Sequence, residues 1–121
     1  MKRKHHDLDA WQVAIDLVKD VYSLTTSFPP YEIYALTSQI RRCAVSVPSN
    51  IAEGCARLTA KEFIHFLGIA RGSLSELETQ LIIARELGYL DASQLPSDKL
   101  DRLFALISGL ISHQRKRVNN D

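Results

Sequence analysis

The sequence predicts an all-α protein: an antiparallel, up-down-up-down four-helix bundle whose second helix is kinked at a proline. Three observations lead there. Apolar residues recur at three- and four-residue steps through four successive segments, the spacing that lines one face of a helix. Aromatic residues make up only 7% of the chain and β-branched runs are short, which disfavours a sheet. The connections between segments are short and rich in turn residues, and short links favour neighbouring helices that run in opposite directions. The 121 residues suit one domain spanning 1–121, large enough for a single core, with polar and flexible ends at 1–7 and 118–121.

The first helix is expected from Asp9 to about Thr26, with Trp11, Ala14, Ile15, Val18, Val21 and Tyr22 on its apolar face. "SFPPYE" stops it, because two successive prolines do not fit a helix interior. A second helix starts near Tyr31 or Glu32 and carries Ile33, Leu36, Ile40, Cys43, Ala44, Val47 and Ile51 in phase, ending near Gly54 or Cys55. Pro48 sits inside it without breaking that phase. Its missing N–H frees the Ala44 carbonyl, so a bend is expected, with Ser46 or Ser49 bonding that carbonyl.

"TAKE" reads as a capping box in which Thr59 and Glu62 satisfy each other's backbone groups, and it opens the third helix. Phe63, Leu67, Ala70, Leu74, Leu77, Leu81 and Ala84 form a seam along it to about Leu87, where Gly88 ends the helix. Ser93 and Ser97 are the candidate caps before a fourth helix, which carries Leu100, Leu103, Phe104, Ile107, Leu110, Ile111 and Val118 and fades from Arg117. The third helix has more apolar surface than one seam needs, at Ile64, Phe66, Ile69, Ile82 and Ile83. A small-residue stripe of Gly68, Gly72, Ser75 and Thr79 runs beside it. Either this helix touches two neighbours or its second face, with Gly68 and Gly72 at the contact, meets another copy of the chain.

Composition narrows the function. A net charge of +1 means that any nucleic-acid surface must come from the distribution of charge rather than its total. No apolar run reaches membrane-span length and the basic start leads into no signal core, so a cytoplasmic protein is expected. Cys43 and Cys55 match no zinc spacing and read as reduced core thiols. No metal site or cofactor is expected. His5 and His6 read as exposed terminal residues, and His65 faces away from the seam of its helix. Glu76 and Glu78 diverge on a helix and cannot form an acid–base pair. No phosphate loop or dinucleotide fingerprint occurs. The sequence reads as non-enzymatic.

"FPPYEIYALTSQIRRCAVSVPSNIAEG" followed by "KEFIHFLGIARGSLSELETQLIIARELGYL" resembles the bacterial 23S rRNA intervening-sequence proteins, over about Leu8 to Ile111. Members of that family are encoded within insertions in large-subunit ribosomal RNA genes or as free-standing genes. The accessory variability protein of diversity-generating retroelements looks like a relative. The resemblance implies a helical bundle, a ring-like homo-oligomer of which a pentamer is the leading form, and a connection to RNA or DNA or to a polymerase-type protein. It implies no enzymatic reaction. The matching polar positions are Ser38, Gln39, Arg41, Arg42, Ser46, Ser49, Asn50, Glu53, Arg71, Ser73 and Glu76. The chain departs from the usual pattern at Cys43 and Cys55, which changes packing volume but no polar position.

Ser38, Arg42, Ser46, Asn50 and Glu53 fall on one stripe of the second helix. They form a solvated face, a polar network reaching Arg71 or Glu76, or a ligand or RNA contact that could include Arg41. The bundle order gathers Lys2, Arg3, Lys4, Arg57, Lys61, Arg115, Lys116 and Arg117 at one end as the candidate nucleic-acid surface, eight of the 15 basic residues. Against Asp7, Asp9, Glu53, Glu62 and Asp121, that end is +3 and the remainder −2. The leading reading is a homo-oligomer that binds RNA or scaffolds a nucleic-acid-processing partner. The competing one is a protein-interaction adaptor with no nucleic-acid contact.

Overall fold

The computed structural model describes residues 2–120 and is all-helical, with four α-helices: α1 (Asp9–Thr25), α2 (Leu36–Cys55), α3 (Ala60–Glu86) and α4 (Ser97–Asn120). Among the described residues there is no strand. Helices adjacent in sequence pack side by side, α2 against α3 most extensively, and α1 closes the set against α4, as a bundle requires.

A single 3-10 turn, Lys4–Asp7, leads into α1, and Asp9 stands in the first turn of α1, where a negative charge complements the helix dipole. Its buried face is Ala10, Val13, Ala14, Leu17, Val21 and Thr25, one step round from the face expected. Trp11, Ile15 and Val18 are only half-buried because they flank the junction with α2, and Tyr22 is exposed. The exit of α1 is held by its own hydroxyls. Thr25 Oγ1 donates to the Val21 carbonyl at 2.8 Å and Thr26 Oγ1 to the Ser23 carbonyl at 2.7 Å, so the last carbonyls are paired before the prolines arrive.

The second helix begins later than its apolar phase suggested. Pro30–Glu32 forms a 3-10 turn, α2 starts at Leu36, and Ile33 is exposed rather than in the core. Pro30 at the first position of that turn has a fixed φ, which suits a tight local helix. α2 then runs unbroken through the buried Pro48. The hydroxyl expected to serve Ala44 acts elsewhere: Ser49 Oγ donates to the Val45 carbonyl at 2.8 Å, and Asn50 Nδ2 to the Ser46 carbonyl at 2.8 Å. Each side chain reaches its own i−4 carbonyl, one and two residues past the one that Pro48 frees.

α2 ends at Cys55, as expected, with Gly54 buried one residue inside the end. A Cβ there would stand 2.7 Å from Phe66 Cβ and 3.0 Å from Phe63 Cδ1, so its bare backbone is what lets α3 approach. Thr59 caps α3 by accepting from the Glu62 N–H at 3.1 Å, which is one half of the expected box. Leu67, Ala70, Leu74, Leu77, Leu81 and Ala84 are wholly buried, as the seam predicted. Burial of each such leucine stabilises the fold by roughly 1.5–3 kcal/mol.

Gly88, at φ +80°, stops α3 in a Schellman turn: its N–H bonds the Arg85 carbonyl and the Tyr89 N–H bonds that of Ala84, each at 2.9 Å. Ser93 and Ser97 are not the caps. Asp91 caps a short 3-10 turn at Ala92–Gln94, and Pro96 gives its carbonyl to the Leu100 N–H at 2.9 Å to open α4. α4 continues past the expected fade to Asn120, burying Leu100, Leu103, Ile107, Ile111 and Gln114, with Val118 exposed.

Candidate nucleic-acid interface and the α2–α3 groove

The turn between α2 and α3 carries Arg57 and, at its tip, Leu58, which is 97% exposed. Lys4, Arg57 and Arg117 line a hollow of about 140 Å³ together with Thr59 and Ala60 at the start of α3. Arg3 and Lys4 line a neighbouring depression of about 340 Å³ that shares Cys55, Arg57 and Leu58. The first N–H groups of α3 have no acceptor within the helix, so this end is doubly favourable to an anion.

Four of the eight predicted basic residues, Arg3, Lys4, Arg57 and Arg117, are therefore brought together. The rest are less engaged there. Lys2 pairs with Asp7 at 3.1 Å, Lys61 lies exposed in the first turn of α3, and Arg115 and Lys116 are exposed on the last turns of α4. Asp121, counted in the charge of this end, lies outside the described residues. Two of the guanidinium groups are anchored. Arg57 bonds Glu53 at 3.0 Å and lies 4.7 Å from the Phe66 ring centroid; Arg117 donates to Gln114 Oε1 at 3.1 Å.

The polar stripe of α2 divides three ways. Arg41 turns to α1, its Nε donating to Thr25 Oγ1 at 2.9 Å and its guanidinium lying over Tyr22 at 4.7 Å. Glu53 is committed to Arg57. Toward α3, the Ser46 and Ser73 hydroxyls meet at 2.9 Å, Asn50 Nδ2 donates to Ser46 Oγ at 3.0 Å, and the Cys43 thiol donates to Glu76 Oε2 at 3.2 Å. Ser38 and Arg71 are half-buried and make no side-chain hydrogen bond or ion pair among the described residues. The expected network thus reaches Glu76 and Ser73, not Arg71.

These contacts floor an open groove of about 510 Å³ lined by Gln39, Arg42, Cys43, Ser46, Ser73, Glu76 and Gln80. Burial pushes the Cys43 thiol up to about 11, reinforced by the Glu76 carboxylate, which accepts its hydrogen bond and repels a thiolate. Gln80 is only 8% exposed, and its Oε1 has no hydrogen-bond partner. The sequence reading passed over Gln80. Its signal was a polar side chain three residues after Leu77 and four before Ala84, at core spacing.

Elsewhere, the cysteines are free, as expected, but half-buried rather than in the core. His5 and His6 are not exposed ends; both rings pack 5.2 Å from Trp11. Gly68 and Gly72 face outward with no atom within 4 Å of a built Cβ, and Ile69, Ile82 and Ile83 are exposed on the same helix. Among the described residues no group of three His, Cys, Asp or Glu is placed to hold a metal, and no helix is long and apolar enough to cross a membrane.

The molecule is an all-α, four-helix protein with one basic end and one polar groove between its most closely packed helices. Within that class, the chain belongs to the 23S rRNA-intervening sequence protein family, whose model matches residues 6–112. A comparison with curated proteins finds no match. Of the basic-end residues only Arg57 and Lys61 fall inside the matched span; Lys2, Arg3, Lys4, Arg115, Lys116 and Arg117 lie outside it.

Proposed function

We propose that this protein is a non-enzymatic, cytoplasmic homo-oligomer, a pentamer in its leading form, that binds RNA through its basic end and can hold a nucleic-acid-processing partner there. The observation that carries this reading is the convergence of Arg3, Lys4, Arg57 and Arg117 around the start of α3. An up-down-up-down order accounts for it. Lys4, Arg117 and the α2–α3 turn share one hollow, while Lys99 of α4 pairs with Asp20 of α1 and Tyr89 donates to Glu32 at 2.8 Å. The family name ties such proteins to ribosomal RNA genes, which supports RNA over DNA as the partner. A single basic end is modest, but a ring that repeats it along one rim makes several weak phosphate contacts act together.

Neutralising Lys2, Arg3, Lys4, Arg115, Lys116 and Arg117 together tests this. RNA affinity is expected to fall and its salt dependence to flatten, each lost phosphate contact reducing the slope of log affinity against log salt by roughly 0.7–0.9. Oligomer size should not change. Unaltered affinity and slope would remove the basic end from the mechanism. Binding of a protein partner that ignores salt, with no RNA retained, would favour the adaptor reading.

A further inference from the structure

The groove between α2 and α3 presents both signs of charge, and the fold leaves them unused. Arg42 on α2 is exposed and makes no ion pair among the described residues, with Glu76 or any other carboxylate. Glu76 accepts from Cys43 with one oxygen, Oε2, which leaves Oε1 for another donor. One helical turn along from the two charges, Ser46 and Ser73 share one hydroxyl proton at 2.9 Å, and Ser46 Oγ also accepts from Asn50. Two hydroxyls bring two protons, so one remains to be donated outward. At the inner wall, Gln80 Oε1 is an acceptor without a donor and is closed off from solvent, a condition that costs about 1–3 kcal/mol.

The complement of this set is specific. Arg42 and a serine hydroxyl call for an anionic oxygen; Glu76 calls for an N–H donor of positive charge. No aromatic ring lines the groove, so it lacks the stacking surface on which nucleobases are held. Its volume of about 510 Å³ falls in the range of small-molecule sites. We propose that this groove binds a small aliphatic zwitterion, its carboxylate at Arg42 and its ammonium group at the free oxygen of Glu76. The site is separate from the basic end and does not depend on RNA binding.

The test is a titration of the full-length, assembled protein with γ-aminobutyrate, followed by amide NMR, with butanoate and butylamine as probes that carry only one of the two charges. The zwitterion is expected to give saturable shifts at Cys43, Ser73 and the Gln80 side-chain amide, with a dissociation constant on the order of 1 mM for so small a ligand. Each singly charged probe, and each of Arg42→Gln and Glu76→Gln, should bind about tenfold more weakly or worse. Gln80→Leu separates binding from packing: Tm should hold or rise, because an unpaired buried acceptor is removed, while the zwitterion still binds. The proposal is overturned if wild-type protein shows no saturable shift, if either single-charge probe matches the zwitterion, or if Arg42→Gln binds as wild type does.

Discussion

Gly54 and Cys43 show how much one atom decides at the α2–α3 contact. Adding a methyl group at Gly54 would bring it 2.7 Å from Phe66 Cβ, a carbon next to the backbone that cannot swing aside. Gly54→Ala is therefore expected to lower unfolding free energy by about 1–3 kcal/mol in urea titrations, despite alanine's better helix propensity. Gly109→Ala, which meets open space on α4, should not share that loss. Cys43 acts through its proton. Its folded pKa is raised from an ordinary 9.0 to about 11, so the folded state holds the proton more tightly than the unfolded chain. The resulting stability is complete below pH 9.0 and is lost as pH climbs toward about 11. Denaturation midpoints should fall across that window in the wild type, more steeply than in Cys43→Ala. An identical decline in both would assign the loss to other groups.

α2 carries Pro48 in its interior, and Ser49 and Asn50 pair the neighbouring carbonyls of Val45 and Ser46. Pro48→Ala restores an N–H for the Ala44 carbonyl. Helical circular dichroism should hold or rise in that variant, while assembly or RNA binding falls if the proline bends α2 to set its polar stripe. A collapse of thermal stability would instead make the buried ring a core packing element. The α3 seam and the Gly88 stop were legible because a periodic apolar pattern and a positive-φ glycine each have one physical meaning. The start of α2 was not, because Ile33 and Leu36 keep helical phase although Pro30 has already committed the chain to a 3-10 turn. The buried face of α1 was misjudged by one step for a related reason. Trp11, Ile15 and Val18 are apolar enough to be core, yet with Val45 and Pro48 they line a groove on the outside of the α1–α2 junction. The basic end followed from topology, whereas Gln80 needed a neighbour from α2 to show that it lacks one partner.

A protein with its core filled by the inner seam of α3 has no internal use for Ile69, Ile82 and Ile83, which stay exposed on that same helix. Gly68 and Gly72 beside them leave room for a second backbone, since nothing lies within 4 Å of either. Close approach there would bury the isoleucines and repeat the basic end around a common axis. Gly72→Glu should then break the assembly without harming the subunit: within one chain the new side chain meets only solvent, but between chains it places a charge in an apolar contact. Light scattering should report an oligomer for wild type and a monomer for Gly72→Glu, with helical content and unfolding cooperativity kept. RNA affinity should fall in the same variant although every basic residue is intact, because the phosphate contacts no longer act as one multivalent rim. A monomeric wild type at micromolar concentration would sink the ring. An oligomer unchanged by Gly72→Glu would move the contact to another face, for which the α1–α2 groove lined by Trp11, Ile15, Val18 and Val45 is the candidate.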